Sequence, residues 1–429
     1  MTDDTAPRDS APGGGPGTGT PELSTPLALP CGVTLPNRLA KSAMSEQLGD
    51  AAHRPTPALA RLYGRWGRGG AGLLITGNVM VDRRSLGEPR NVVVEDGRDL
   101  DALRAWARAA RAAGAAALMQ LNHPGRQTPP GLSAAVVAPS AVRVNVGGAR
   151  FPLPRALTAA EIAEQTGRFA AAAAVAVEAG FDGVQVHAAH GYLVSQFLSP
   201  LANLRTDDWG GDPGRRRRFL LETVRAVRAA IGPGRVLSVK LNSADFQRGG
   251  FGEAESLEVV RALAAERVDL LEISGGTYER AAMMGQEHRG AGSRAREAYF
   301  LAFAERARAE AAAGALPLMV TGGFRSGTAM RAALASGVDV VGLGRPLALE
   351  PDLPRALLAD PEATASRARP LTTGVRLLDG AAELAWHGHQ LRRMGAGRPP
   401  LPRLGARRAL LRGMARDGVN ILRRRRGGA

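Results

Sequence analysis

The segment His187-Ala-Ala-His190-Gly-Tyr192 carries the densest chemistry in the chain. Two imidazoles three residues apart on a turn can both donate hydrogen bonds to one oxygen, and a phenol two residues further on can give a proton. Such a set would polarise a carbonyl compound and protonate a neighbouring carbon. Two plainer readings stay open: a histidine that only satisfies a loop, or an H-x-x-H metal pair with His123 as third ligand, although no carboxylate stands at a matching place. The stretches TGGF at 321–324 and GLGRP at 342–346 suit a phosphate. Glycines let backbone N–H groups approach a ligand, and Arg345 adds a bidentate cation. Their plainer reading is a pair of tight turns. Lys240 is one of only two lysines, Lys41 being the other, and a lysine at a strand end could instead form a Schiff base, as in an aldolase.

These groups need a frame that gathers them. From residue 23 to about 360, short apolar runs alternate with Ala/Arg/Leu stretches of helical period. Strands are expected at 38–44, 72–76, 116–121, 183–187, 236–241, 270–274, 318–321 and 338–343, and helices at 99–113, 159–179, 216–230, 254–265, 297–312 and 327–335. Gly114 and Gly180 stand where a left-handed helix end is expected, and Thr158 with Glu161 has the capping-box spacing. Eight strands with intervening helices predict an α/β fold of the (β/α)8 TIM-barrel type. An open doubly wound sheet would carry G-x-G-x-x-G after its first strand, and none is there.

Barrels present reactive groups where their strands end. The exits read Met44-Ser45, Gly77-Asn78, Gln120 with His123, His187 with His190, Lys240 with Asn242, Ser274-Gly275-Gly276, Gly322-Gly323 and Gly344-Arg345. Polar residues or glycines thus stand at every exit. The long connections 122–157 and 275–296 are expected to shape a pocket. Residues 1–22 read as a disordered leader, 23–360 as the barrel, and 361–429 as a helical tail with helices at 380–394 and 406–421.

Composition narrows the classes. No apolar run approaches the roughly 20 residues of a membrane span, and the N-terminus lacks a signal pattern, so a cytoplasmic location without membrane attachment is expected. Cys31, the single cysteine, excludes an internal disulfide and a thiolate-bound cluster within one chain. The formal charge of +16 comes from arginines spread over Ala-rich helices, so no nucleic-acid partner is expected. The cluster Arg423 to Arg426 reads as a solvated tail, with polyanion binding as the alternative.

In order, LPNRLAKSAM, GLLITGN, MQLNHPGR, HAAHGYLVSQFLSPLANLRTDDWGG, VLSVKLNSAD, TGGF and GLGRP resemble the Old Yellow Enzyme family of FMN-dependent NAD(P)H oxidoreductases, from about residue 27 to 360. The resemblance implies FMN as cofactor, NAD(P)H as hydride donor and an enone- or quinone-like small molecule as acceptor, with a homo-oligomer as one assembly. It implies that Ala43, Met44 and Asn78 contact the flavin largely through backbone, and that Ser45 lies near its O4 and N5, where relatives often carry Thr or Cys. It assigns Gln120 to the pyrimidine edge, Lys240 to the region of N1 and O2 in place of the more usual Arg, and Gly322, Gly323, Gly344 and Arg345 to the phosphate. His187 and His190 match the residues that clamp the substrate carbonyl, and Tyr192 matches the proton donor. The family's usual Glu-Asn-Arg sequence is broken near Gly214 and Arg215, which puts helix-start contacts in question. The family's branch with an iron-sulfur domain needs clustered cysteines and is not expected from this sequence. Dehydrogenase or demethylase chemistry on the same scaffold is the alternative within the family.

Overall fold

Eight short runs of aliphatic and β-branched residues form the staves of a closed parallel barrel. The computed structural model describes residues 21–133, 135–146, 149–277, 279, 292–311, 316–366 and 371–427. The staves are β1 (Leu39–Lys41), β2 (Leu73–Ile75), β3 (Ala116–Asn122), β4 (Gly183–Ala188), β5 (Val236–Asn242), β6 (Leu270–Ser274), β7 (Leu318–Thr321) and β8 (Val340–Leu343). Each pairs in parallel with its neighbours, and β8 closes on β1 through Val341 opposite Leu39 and Leu343 opposite Lys41. The expected (β/α)8 barrel is the observed fold, with every expected strand in place.

Alternation along each stave divides the interior into two layers. Low in the barrel, Ala40, Leu73, Ile75, Ala116, Leu118, Val236, Leu270, Met319 and Val340 pack into one apolar cluster with Leu29 and Leu35. The last two come from a small antiparallel hairpin, Leu27–Ala28 with Thr34–Leu35, that closes this end. Two residues further along the same inward rows the side chains turn polar: Ser42, Gln120, Gln185, Ser238, Lys240, Glu272 and Thr321, each in the buried part of the chain except the half-buried Thr321.

The outer ring comprises α1 (Pro57–Arg68), α2 (Leu100–Arg111), α3 (Ala159–Glu178), α4 (Arg218–Ile231), α5 (Glu253–Ala265), α6 (Gly292–Ala311), α7 (Gly327–Ala335) and α8 (Leu353–Ala359). Thr158 and Glu161 form the expected capping box on α3, and Gly114 and Gly180 take positive φ of 85° and 93°. The helix α1 has no counterpart in the sequence expectation. Pro57 begins it, and Gly64 and Gly67, which weaken a helical pattern, are the points where it meets α2. A Cβ on Gly67 would stand 2.9 Å from the Ala110 carbonyl oxygen. Near the break at Gly214, Asp212 caps the short helix Pro213–Arg216, and the buried Arg216 bonds the Leu198 and Gly211 carbonyls, so that helix start is held by other contacts.

After the barrel, α9 (Arg376–Gly395) and α10 (Ala406–Gly427) form the helical extension. Residues 1–20 of the expected leader, 280–291 of the expected pocket insert and the side chains of Arg423 to Arg426 lie outside the described residues. No described helix is long and apolar enough to cross a membrane.

Candidate active site

The polar layer is one hydrogen-bonded belt around the barrel. Ser42 Oγ lies 2.7 Å from Thr321 Oγ1, and Thr321 Oγ1 donates to Glu272 Oε1 at 2.7 Å. Lys240 Nζ donates to the same carboxylate oxygen at 2.9 Å, in an ion pair almost without solvent access. The other oxygen of Glu272 accepts from Gln185 Nε2 at 2.9 Å, and Gln185 Oε1 accepts from Gln120 Nε2 at 2.8 Å. Strand register dictates these contacts, because Lys240 pairs with Glu272 and Gln185 with Gln120 on adjacent staves. Gln120 and Lys240 were identifiable in the sequence as exit residues. Their shared partners Gln185 and Glu272 were not.

The β1 exit is built on the other lysine. Lys41 Nζ is fully buried and donates to the Tyr63 hydroxyl and the Ile75 carbonyl, both at 2.7 Å, with Glu46 at 3.4 Å. Burial pulls its pKa down to about 8 against the pull of Glu46. Glu46 also accepts from Gly77 N–H at 2.9 Å, which locks the β1 exit to the β2 exit. Ala43, Met44 and Ser45 are left half-buried on this rigid base. Ser45 Oγ donates to Asn78 Oδ1 at 3.2 Å and to the Glu88 carboxylate. Burial raises the pKa of Glu88, which also accepts from Asn91 Nδ2 at 3.2 Å. Two exits expected to act together, Ser45 and Asn78, are thus in contact.

At the β4 exit the three expected residues converge. The His187 ring lies 5.1 Å from that of His190 and 4.9 Å from that of Tyr192, centroid to centroid, with each pair nearly perpendicular. His187 Nδ1 accepts from Ala189 N–H at 3.3 Å, which places the proton of the neutral ring on Nε2. His190 sits at a left-handed φ of 62°, uncommon for a residue with a side chain. Asn242 Oδ1 holds its backbone N–H at 3.2 Å, and its Nε2 lies 2.8 Å from Ser274 Oγ. Burial, and then Lys240, hold both imidazoles well below the usual histidine pKa, so each is a neutral hydrogen-bonding group at pH 7. Tyr192 is 7% exposed and begins the short helix Leu193–Leu198.

Asn122, at the end of β3, was missed in the sequence. It is fully buried, and among the described residues neither polar atom of its side chain has a hydrogen-bond partner. Alternation points it inward, two residues past Gln120. Buried amides are almost always satisfied, so this side chain is available to a water or a ligand polar group. His123 is placed differently. Its Nδ1 accepts from Gly125 N–H at 3.0 Å and burial lowers its pKa to about 4, with Asp82 acting against that. Among the described residues no three His, Cys, Asp or Glu side chains gather as a metal site.

At the last two exits Gly322 and Gly323 have φ of 149° and 86°, conformations that favour glycine. Among the described residues nothing lies nearer the absent Cβ of Gly344 than Met44 Cγ at 4.0 Å, beside the β1 exit. Arg345 begins the short helix Arg345–Leu349, and its Nη1 donates to Glu383 of α9 at 2.9 Å. A cavity of about 940 Å³ lies elsewhere, outside the barrel between α1 and residues 349–356, and holds none of these groups.

Residues 22–360 match the model of the NADH:flavin oxidoreductase / NADH oxidase family. The chain belongs to this family. It is 38% identical over 363 residues to the NADH-dependent flavin oxidoreductase iliE of Hypocrea jecorina, across 79% of this chain and 89% of that one. It is 37% identical to the iliE protein of Neonectria sp., over 79% of this chain but 47% of the relative, so it spans about half of that longer protein. Among solved structures, the old yellow enzyme homologue from Zymomonas mobilis superposes with a TM-score of 0.67 at 26% identity, over 81% of this chain and 95% of that one. The protein is therefore an oxidoreductase of the Old Yellow Enzyme type, with FMN and NAD(P)H as its cofactors.

The residues present fit FMN. The unpartnered amide of Asn122 and the belt of Gln120 and Lys240 suit a polar ring system, and the glycines at the β7 and β8 exits suit the close approach of a phosphate to the backbone.

Proposed function

We propose that this enzyme reduces the C=C bond of an α,β-unsaturated carbonyl compound or a similar electron-poor acceptor. The observation that carries the reading is the convergence of His187, His190 and Tyr192 one strand away from Lys240. FMN, held by Gln120, Lys240 and the backbone of Ala43, Met44, Ser45 and Asn78, with its phosphate at Gly322, Gly323, Gly344 and Arg345, would supply the hydride taken from NAD(P)H. His187 and His190 would hold the acceptor's carbonyl oxygen with two neutral N–H groups. That hold draws electron density from the alkene without placing a permanent charge in the pocket. Tyr192 would donate its phenolic proton to the α-carbon, opposite the carbon that accepts the hydride. A general acid of this kind contributes roughly 100- to 10,000-fold.

Replacing Tyr192 by Phe tests the reading with the two half-reactions measured separately. Reduction of the bound flavin by NADH should keep its rate, while reoxidation by a cyclic enone should slow at least about 100-fold. Equal losses in both half-reactions would remove Tyr192 from the proposed role. His187→Ala should weaken binding of phenols and enones, and unchanged binding would count against the two-imidazole hold.

A further inference from the structure

The belt contains a carboxylate to which the mechanism above gives no part. Glu272 is fully buried in the middle of β6, on the inward row, and it is hydrogen-bonded by polar groups of three other staves. One oxygen takes Lys240 Nζ at 2.9 Å and Thr321 Oγ1 at 2.7 Å, and the other takes Gln185 Nε2 at 2.9 Å. Through Gln185 it reaches Gln120, and Thr321 itself immediately precedes Gly322. A buried carboxylate persists only if paired and hydrogen-bonded, so this one is well satisfied. Its position has a second effect. Lys240 is ion-paired to this carboxylate at 2.9 Å within the polar belt.

We propose that Glu272 is a positioning residue that sets the reduction potential of the bound flavin. It fixes the directions of the two groups assigned to the pyrimidine edge, Lys240 directly and Gln120 through Gln185. It also offsets the lysine's charge where reduction places negative charge on the flavin. Coulomb interactions inside a protein are several-fold stronger than in water, so a carboxylate within the belt opposes electron uptake that the ammonium alone would favour. The same pair bears on the choice of Lys over Arg at 240. Lysine offers a point charge without a planar fork, and the carboxylate supplies the orientation that the fork would otherwise give. This proposal rests on the assignment of Lys240 and Gln120 to the flavin.

The test is the midpoint potential of the FMN-loaded full chain, measured by spectroelectrochemistry. Glu272→Gln keeps the shape and removes the charge, and should favour the reduced flavin at least tenfold, a rise of about 30 mV for a two-electron couple. Lys240→Met should shift the potential the other way. The double variant removes both charges together, which avoids leaving one buried and unpaired, and should return to within tenfold of the wild type. An unchanged potential in Glu272→Gln, with lower thermal stability, would show a purely structural role and overturn the proposal. Should Glu272→Gln fail to fold, the double variant decides: a potential as low as that of Lys240→Met overturns the proposal equally. If Lys240→Met also leaves the potential unchanged while FMN stays bound, the assignment of Lys240 to the flavin falls as well.

Discussion

The two layers of the barrel interior are made by the same strands two residues apart, yet they obey opposite rules. The lower layer is aliphatic and sealed by the N-terminal hairpin, and its contribution is burial of apolar surface. The upper layer buries an ion pair, two glutamines and an asparagine unpartnered among the described residues, which costs desolvation that hydrogen bonds must offset. Stability and chemistry are thus divided along the barrel axis, and this division can be broken from either side.

Acid should act first on the upper half. His123, His187 and His190 are held neutral by burial, below the value near 6.5 at which an unfolded chain titrates them. As pH falls through 6.5, the unfolded chain takes up protons that the folded one refuses, so stability falls, by up to about 1.4 kcal/mol per pH unit for each histidine. For His123 the loss continues to about pH 4. Glu88 and Asp245, raised by burial, act in the opposite sense above their unfolded values. Urea midpoints should drop steeply between pH 6.5 and 5, and a flat profile would mean that these imidazoles are not buried as described.

In the lower layer Leu270→Ala should cost about 2–5 kcal/mol of unfolding free energy, by transfer and cavity terms together. The flavin spectrum of the folded variant should stay that of the wild type. A spectral change would mean that the layers are coupled. Gln185→Leu makes the converse cut in the upper layer. It strands Gln120 and one oxygen of Glu272 for about 1–3 kcal/mol, and should lower the FMN retained per chain after dialysis. Full FMN occupancy would show that Gln120 needs no partner. The smallest effect is expected for Gly323→Ala, about 1 kcal/mol from the positive φ, with faster FMN release measured by fluorescence.

The same division explains what could be read beforehand. All eight strands were legible because each is a compact apolar run between helical stretches, and His187, His190, Lys240 and the glycine exits stood out at strand ends. Gln185 and Glu272 were not legible as site residues. They interrupt apolar runs in mid-strand, GVQVH and LLEIS, and only the register between strands, which no single strand encodes, shows what they face. Asn122 was hidden for a different reason: its significance is that its partners are missing, which a sequence does not display. The helix α1 escaped because Gly64 and Gly67 answer to a tertiary contact with α2, against their local preference.

The extension after β8 also bears on how the molecule comes apart. Arg61 of α1 donates to the Gly395 carbonyl at the end of α9, Glu383 of α9 takes Arg345 beyond β8, and Leu391 and Met394 belong to the main apolar core. The helix therefore spans the seam where the last strand meets the first, and β1, at three residues, is one of the two shortest staves there. Pairing around the ring is thinnest next to that seam, where β1 and β2 share two residue pairs. With the extension laid across that joint, seam and tail should exchange their amide hydrogens as a single cooperative unit, and proteolytic nicking between α8 and α9 should loosen the first βα unit although it lies at the other end of the barrel sequence.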